Sequence, residues 1–199
     1  MYERVPDELK ALKRWMLWNY NNKGTKIPLR LGGSAGSSSD PEAWCGFEIA
    51  AESSIYFQGI ATVMQDPYTG IDLDNCLDSD GNLRPWAIPI VSRLDGVCYA
   101  EISPSGSGIK FVTMARKPDG SRCLCKINPG VPDKQQIECY DHDRFWTITG
   151  NIYNQQDTIG DGRAVIDWLC KNYLSAQQQQ TAAVKHLPAP PRVTDTPLM

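Results

Sequence analysis

Two aspartates one residue apart, Asp72 and Asp74 in the run Ile71-Asp72-Leu73-Asp74, are the side chains of this sequence best suited to metal or phosphoryl chemistry. Side chains alternate across a β-strand, so residues two apart share a face. On a strand the two carboxylates point one way, and Ile71 and Leu73 point the other way, into a core. Like charges this close raise each other's pKa, and a divalent cation between them reverses that cost. Hard oxygen ligands suit Mg²⁺ or Mn²⁺. The same spacing also arises on solvated strand edges, so the pair needs company. Gln136-Ile137-Glu138-Cys139-Tyr140 supplies it. Alternation there puts Glu138 among polar neighbours. If that strand lies beside the first, three carboxylates meet, enough to hold two metal ions for in-line phosphoryl transfer.

Groups that could take an anion follow the same order along the chain. Ser103, Ser105 and Ser107 alternate with Pro104, Gly106 and Gly108 in a loop whose backbone N–H groups and hydroxyls are open to a phosphate. Lys110 comes next, at the start of a strand, placed to reach the same anion as a point charge. The loop lacks the G-K-[ST] ending of a Walker loop, and a plain mobile loop is the competing reading. In Asp141-His142-Asp143-Arg144-Phe145-Trp146, Arg144 could pair with a phosphate, and Phe145 or Trp146 could pack on a base or sugar. The alternative is a hairpin turn with its aromatics in the core and His142 merely solvated. Lys26 and Arg30, with Thr25, lie on one strand and face either phosphates or water. Ser37, Ser38, Ser39 and Asp40 add an anion contact or only cap a helix.

The elements that must position these residues can be read from periodicity and punctuation. A helix is expected over 6–15, then an aromatic strand Trp15–Tyr20, a turn at 21–24 and a second strand over 25–31, the two forming a hairpin. Asp40-Pro41 signals a helix start. Strands are expected over Gly59–Met64, 70–74, 97–102, Ile109–Met114, Gln136–Tyr140 and 145–149, and helices over 85–94 and 162–174. Residues 116–135 read as an irregular connection. Strands in hairpin order with a few helices predict an α+β domain with a largely antiparallel sheet.

The chain has 199 residues, 41% hydrophobic and 22% charged, which is the range of a globular domain. Its net charge of −3 argues against coating nucleic acid through bulk charge, but leaves room for a local basic groove. No apolar run has the length of a membrane span, and the charged N-terminus lacks an apolar signal core, so a soluble protein of the cytoplasm is expected. Seven irregularly spaced cysteines and two histidines do not make a zinc framework, and free thiols are the expectation. Residues 1–174 read as the folded domain. Residues 175–199, rich in Gln, Pro and Thr, read as a linker or disordered tail, of the kind that leads to a further domain.

Taken in order, these segments resemble the N-terminal prim-pol domain of phage and plasmid primase-helicases, in the archaeo-eukaryotic primase superfamily. The similarity covers residues 6–172. It is carried by the Trp15 to Trp18 strand, Thr25-Lys26-Ile27-Pro28, Ser38-Ser39-Asp40-Pro41 with Trp44, Gly70-Ile71-Asp72-Leu73-Asp74, Ser103-Pro104-Ser105-Gly106, Ile137-Glu138-Cys139-Tyr140-Asp141, Arg144-Phe145 and Thr147-Ile148-Thr149-Gly150. The resemblance implies an RRM-like antiparallel sheet with flanking helices. It implies template-directed nucleotidyl transfer as a DNA primase or polymerase in phage, plasmid or other mobile-element replication. Asp72, Asp74 and Glu138 would hold Mg²⁺ or Mn²⁺. Ser107 or Ser105, with Lys110 where the family often has histidine, would meet the triphosphate, and Arg144 would lie near the incoming nucleotide. The implied partners are nucleoside triphosphates, a single-stranded DNA template or primer, and a helicase domain C-terminal to this one in a bacterial or archaeal host cell. A metal-dependent nuclease, or a non-catalytic module binding single strands or an origin, are the alternatives the residues leave open.

Overall fold

In the computed structural model, which describes residues 1–175, the apolar alternation resolves into nine strands in two sheets, every pairing antiparallel. The first sheet has β1 (Trp15–Tyr20), β2 (Lys26–Leu29), β3 (Gly59–Met64) and β9 (Arg144–Ile148), in the order β2-β1-β3-β9. The second has β4 (Tyr68–Asp74), β5 (Tyr99–Ile102), β6 (Ile109–Met114), β7 (Leu124–Lys126) and β8 (Gln136–Tyr140), in the order β5-β6-β4-β8-β7. The helices are short: α1 (Asp7–Lys10), α2 (Phe47–Ser53), α3 (Ile88–Leu94) and α4 (Arg163–Leu169), the last continuing into one π turn. This is an α+β domain with antiparallel sheets. Among the described residues no helix is long and apolar enough to cross a membrane. All seven cysteines are free thiols. The expected tail lies, from residue 176, outside the described residues.

One face of the second sheet is apolar, as the alternation requires. Ile71, Leu73, Ile109, Phe111, Ile137 and Cys139 pack there against Ile90, Val91 and Leu94 of α3 and Val165, Ile166 and Leu169 of α4. On the other face, Tyr99 and Val112 join Leu17, Ile60, Trp146 and Ile148 of the first sheet in a second core. Gly70 makes the contact between sheets possible. A Cβ there would stand 2.9 Å from three carbons of the Trp146 indole. Gly70→Ala is therefore expected to cost about 1–3 kcal/mol of unfolding free energy in urea titrations, because two paired sheets cannot separate to admit a methyl group.

Several expectations need correction. The strand Gln136–Tyr140 and the next one do not form a hairpin. The polar turn at 141–143, with Asp143 at φ 51°, carries the chain from one sheet to the other, where β9 pairs with β3 (Val63 opposite Phe145). The reason is Trp146, which buries its ring between the sheets rather than on the face of β8. The helix expected over 6–15 is reduced to α1, since the Trp15 indole N–H donates to the Leu9 carbonyl at 3.1 Å and Trp15 itself opens β1. Asp40 does act as a cap, accepting from the Glu42 N–H. It starts a single 3-10 turn, Pro41–Ala43, before α2 begins at Phe47. Part of the connection at 116–135, expected to be irregular, supplies the edge strand β7.

Candidate active site

The ladders of the second sheet place four charged residues on one rung. Asp72 lies opposite Lys110 of β6 on one side and opposite Glu138 of β8 on the other, and Lys110 lies opposite Glu101 of β5. Residues directly opposed across an antiparallel pair share a face, so Glu101, Lys110, Asp72 and Glu138 follow one another across the sheet in an order set by backbone register. Asp74 lies two residues along the same face, opposite Gln136. The adjacency required of Asp72, Asp74 and Glu138, with Ile71 and Leu73 on the buried side, is thus present.

Asp72, Asp74, Lys110 and Glu138 line a cavity of about 310 Å³. Asp72, Asp74 and Glu138 are its acids, and Lys26, Lys110, Lys134 and Arg144 its cations. Phe145, Trp146, Thr25 and Thr147 complete the wall. Each carboxylate is engaged by a cation. Lys110 Nζ donates to Asp72 Oδ2 at 2.6 Å, Lys134 Nζ to Asp74 Oδ2 at 3.4 Å, and Arg144 Nη2 to Glu138 Oε2 at 3.3 Å. Among the described residues, His, Cys, Asp and Glu side chains do not close into a metal-holding group of three. Valence is nonetheless left over. Asp72 Oδ1 is buried without a hydrogen-bond partner. Burial, and after it the neighbouring Asp72 charge, raises the Asp74 carboxyl above its ordinary range, with Lys134 partly offsetting both. Burial also lowers Lys26, helped by repulsion from Lys110 and opposed by the three acids.

The other expected site residues divide. Ser103, Ser105 and Ser107 form a hydroxyl chain, Oγ to Oγ at 2.9 and 3.1 Å, and Ser107 Oγ donates to Asn75 Oδ1 at 2.8 Å. This anchors the loop beside Asp74 but outside the cavity lining. Lys110, expected to serve that loop, is drawn instead to Asp72, and its ammonium lies 3.7 Å from the Trp146 ring centroid. Arg30 is not in the cavity. Its guanidinium pairs with Asp40 and donates to the Glu42 carbonyl at 2.9 Å. Ser38 donates to the Asp143 carbonyl at 2.8 Å, which ties the 32–39 loop to the turn carrying Arg144. His142 pairs with Asp141 at the surface.

Sequence reasoning missed Lys134, Gln136 and Glu101. Gln136 is fully buried, and its amide donates to Glu138 Oε1, fixing that carboxylate. Glu101 is also fully buried. It accepts from the Tyr99 hydroxyl at 2.7 Å, from the Thr149 N–H and from the Gly150 N–H. Burial pushes its carboxyl up to about 7, against the pull of these donors and of Lys110. The folded protein therefore holds this proton between about pH 4.5 and 7, where the unfolded chain has released it. Stability should fall as pH rises through that window, by on the order of 3 kcal/mol from this group. Denaturant titrations from pH 5 to 8 should show the fall in wild type and a flatter profile in Glu101→Gln.

No family model matches the chain. It is, however, 32% identical over 160 residues to the DNA primase-polymerase of Nitratiruptor phage NrS-1, a match covering 76% of this chain. The chain spans only about a fifth of that protein, 21% of its length. The aligned share of this chain is large enough to include most of the two sheets that build the cavity. With this similarity beside the rung of charges, the chain belongs to the prim-pol family, as a domain related to a phage primase-polymerase.

Proposed function

We propose that this domain is a template-directed nucleotidyltransferase, a DNA primase or polymerase acting in replication of a phage, plasmid or other mobile element. The observation that carries this reading is the gathering of Asp72, Asp74 and Glu138 in one cavity whose remaining charges are cationic. Such a cavity suits a triphosphate together with divalent ions. The donor set fits Mg²⁺ or Mn²⁺: three carboxylates, one with a buried oxygen lacking a partner and one whose carboxyl is raised by burial and then by the neighbouring Asp72 charge. Asp72, Asp74 and Glu138 would hold the ions. Bound there, they would supply activation of a primer 3′-hydroxyl and charge stabilisation at the α-phosphate.

The chain's own residues account for the rest. Lys26, Lys110 and Arg144 face the same space and offset phosphate charge, and Lys134 adds to them from the rim. The Ser103, Ser105 and Ser107 loop offers hydroxyls and N–H groups beside Asp74, held in place by Asn75. Phe145 presents an apolar surface to a base or sugar, and Trp146 keeps water from beneath Lys110. Arg30 acts at one remove, by fixing the loop that Ser38 ties to the Arg144 turn.

The run β4, α3, β5, β6 followed by β8, with those strands ordered β8-β4-β6-β5 and the helices on one face, supports an RRM-like reading of the second sheet. Residues 1–174 would be the catalytic domain in the host cytoplasm. Residues 175–199 would link it to a further domain such as a helicase, in keeping with a relative about five times as long as the aligned region. The substrates would be nucleoside triphosphates on a single-stranded DNA template or primer.

The test is a labelled primer annealed to a longer template, incubated with nucleotides and Mg²⁺ or Mn²⁺. Extension is expected, and EDTA should abolish it. Degradation of the DNA without added nucleotides would instead establish a nuclease. Binding that survives EDTA with no incorporation would establish a non-catalytic module.

A further inference from the structure

Lys110 stands apart from the other cations of the cavity. Its side chain is 5% exposed and that of Asp72 14%, whereas Lys134 is 66% exposed and Arg144 46%. Its contact with Asp72 is the shortest of the four ion pairs there, 2.6 Å against 3.3, 3.4 and 3.8 Å. Both residues rise from directly opposed ladder positions, so the pairing is set by the backbone. The indole of Trp146 also contacts the ammonium, its ring centroid 3.7 Å away. A like charge this near, little screened by water, opposes any second cation on the same carboxylate. Asp72 nonetheless keeps Oδ1 buried and without a partner, a vacant acceptor beside an occupied one.

We propose that Lys110 is a resident counter-ion of Asp72 that a divalent cation must displace, so that metal binding to this domain is an exchange rather than an addition. This rests on the reading of Asp72, Asp74 and Glu138 as metal ligands. The exchange has a direction. The stem of Lys110 is rooted in a buried strand with Trp146 across it, and the open volume available to the ammonium is the cavity itself. Once off Asp72, the charge stays in the cavity, where it meets the phosphates of a nucleotide. Metal and triphosphate then favour each other's binding, because each removes an obstacle to the other. Without nucleotide, Lys110 keeps the carboxylate neutralised and holds metal affinity down. Lys134 and Arg144, facing water, impose no comparable barrier.

The experiment is a Mn²⁺ titration of the full chain without nucleotide, with free Mn²⁺ read by electron paramagnetic resonance. Lys110→Met keeps the length of the stem and removes its charge. It should bind Mn²⁺ about ten- to a hundredfold more tightly than wild type. Lys134→Met should change affinity by about threefold or less, and Asp72→Asn should weaken binding in either background. Equal or weaker binding by Lys110→Met, with Asp72→Asn still weakening it, overturns the exchange and leaves the metal site standing. Mn²⁺ binding indifferent to Asp72→Asn overturns the metal site itself. Should Lys110→Met not fold, the wild-type chain carrying ¹³Cε-lysine decides. The Lys110 resonance, assigned through Lys110→Arg, should shift saturably with Mg²⁺. A resonance that does not move at saturating Mg²⁺ overturns the exchange.

Discussion

Asp72→Asn, Asp74→Asn and Glu138→Gln are each expected to lower templated nucleotide incorporation by on the order of a thousandfold or more, measured as primer extension at saturating Mn²⁺. Each change keeps the shape of the side chain and removes one negative charge, so the loss reads the charge and not the packing. Their effects on stability should differ, and the difference identifies which acid does what in the folded protein. Asp72→Asn strands the nearly buried Lys110 ammonium without its partner at 2.6 Å and should lower the unfolding free energy by about 3 kcal/mol. Asp74→Asn removes a carboxylate whose ionised form is opposed by burial and by Asp72, so stability at neutral pH should hold or rise. Glu138→Gln lies between the two, since Gln136 and Arg144 both lose an anionic acceptor. A residue present for function and costly to the fold is the signature expected of Asp74.

The largest structural loss is expected from Trp146→Ala. The indole is 2% exposed, fills the space above Gly70 and supports Lys110. Truncating it leaves a cavity between two sheets that cannot collapse onto each other, because strand pairing fixes them. A cost of about 3–5 kcal/mol in urea unfolding follows, together with loss of incorporation as Lys110 loses its support. Trp146→Phe should recover most of the stability. The indole N–H has no hydrogen-bond partner, so little polar interaction is lost with it.

Much of the strand content was legible because alternation is a local signal. Trp15–Tyr20, Gly59–Met64, Ile109–Met114 and Gln136–Tyr140 have the expected bounds. Asp72 and Asp74 share a face for the same local reason. The placement of Glu138 beside Asp72 depended on a neighbouring-strand assumption that the register bears out. The division into two sheets was not legible. The pairing of β3 with β9 joins residues at least 80 positions apart, such as Met64 with Arg144, and no local pattern encodes that partner. Lys110 was recognisable as a cation near an anion site, but only register puts it on the rung of Asp72. Glu101 looked like an ordinary polar position in the short strand Tyr99–Ile102, and its burial follows from the crossing of residues 149–150 over it. Lys134 belongs to a segment without periodicity, and its four-residue spacing from Glu138 was the one available hint. Arg30 shows the converse. A strand position suggested a phosphate contact, whereas a nearby acid, Asp40, claimed the guanidinium.

The most direct measurement is a crystal of the domain grown or soaked with Mn²⁺ and a non-hydrolysable nucleoside triphosphate, with anomalous difference density recorded for manganese. Peaks bonded to carboxylate oxygens of Asp72, Asp74 and Glu138, with the triphosphate alongside and Lys110 turned from Asp72 toward it, are the predicted result. Manganese bound elsewhere, or a nucleotide seated away from these three acids, would contradict the assignment of this cavity as the nucleotidyl-transfer site.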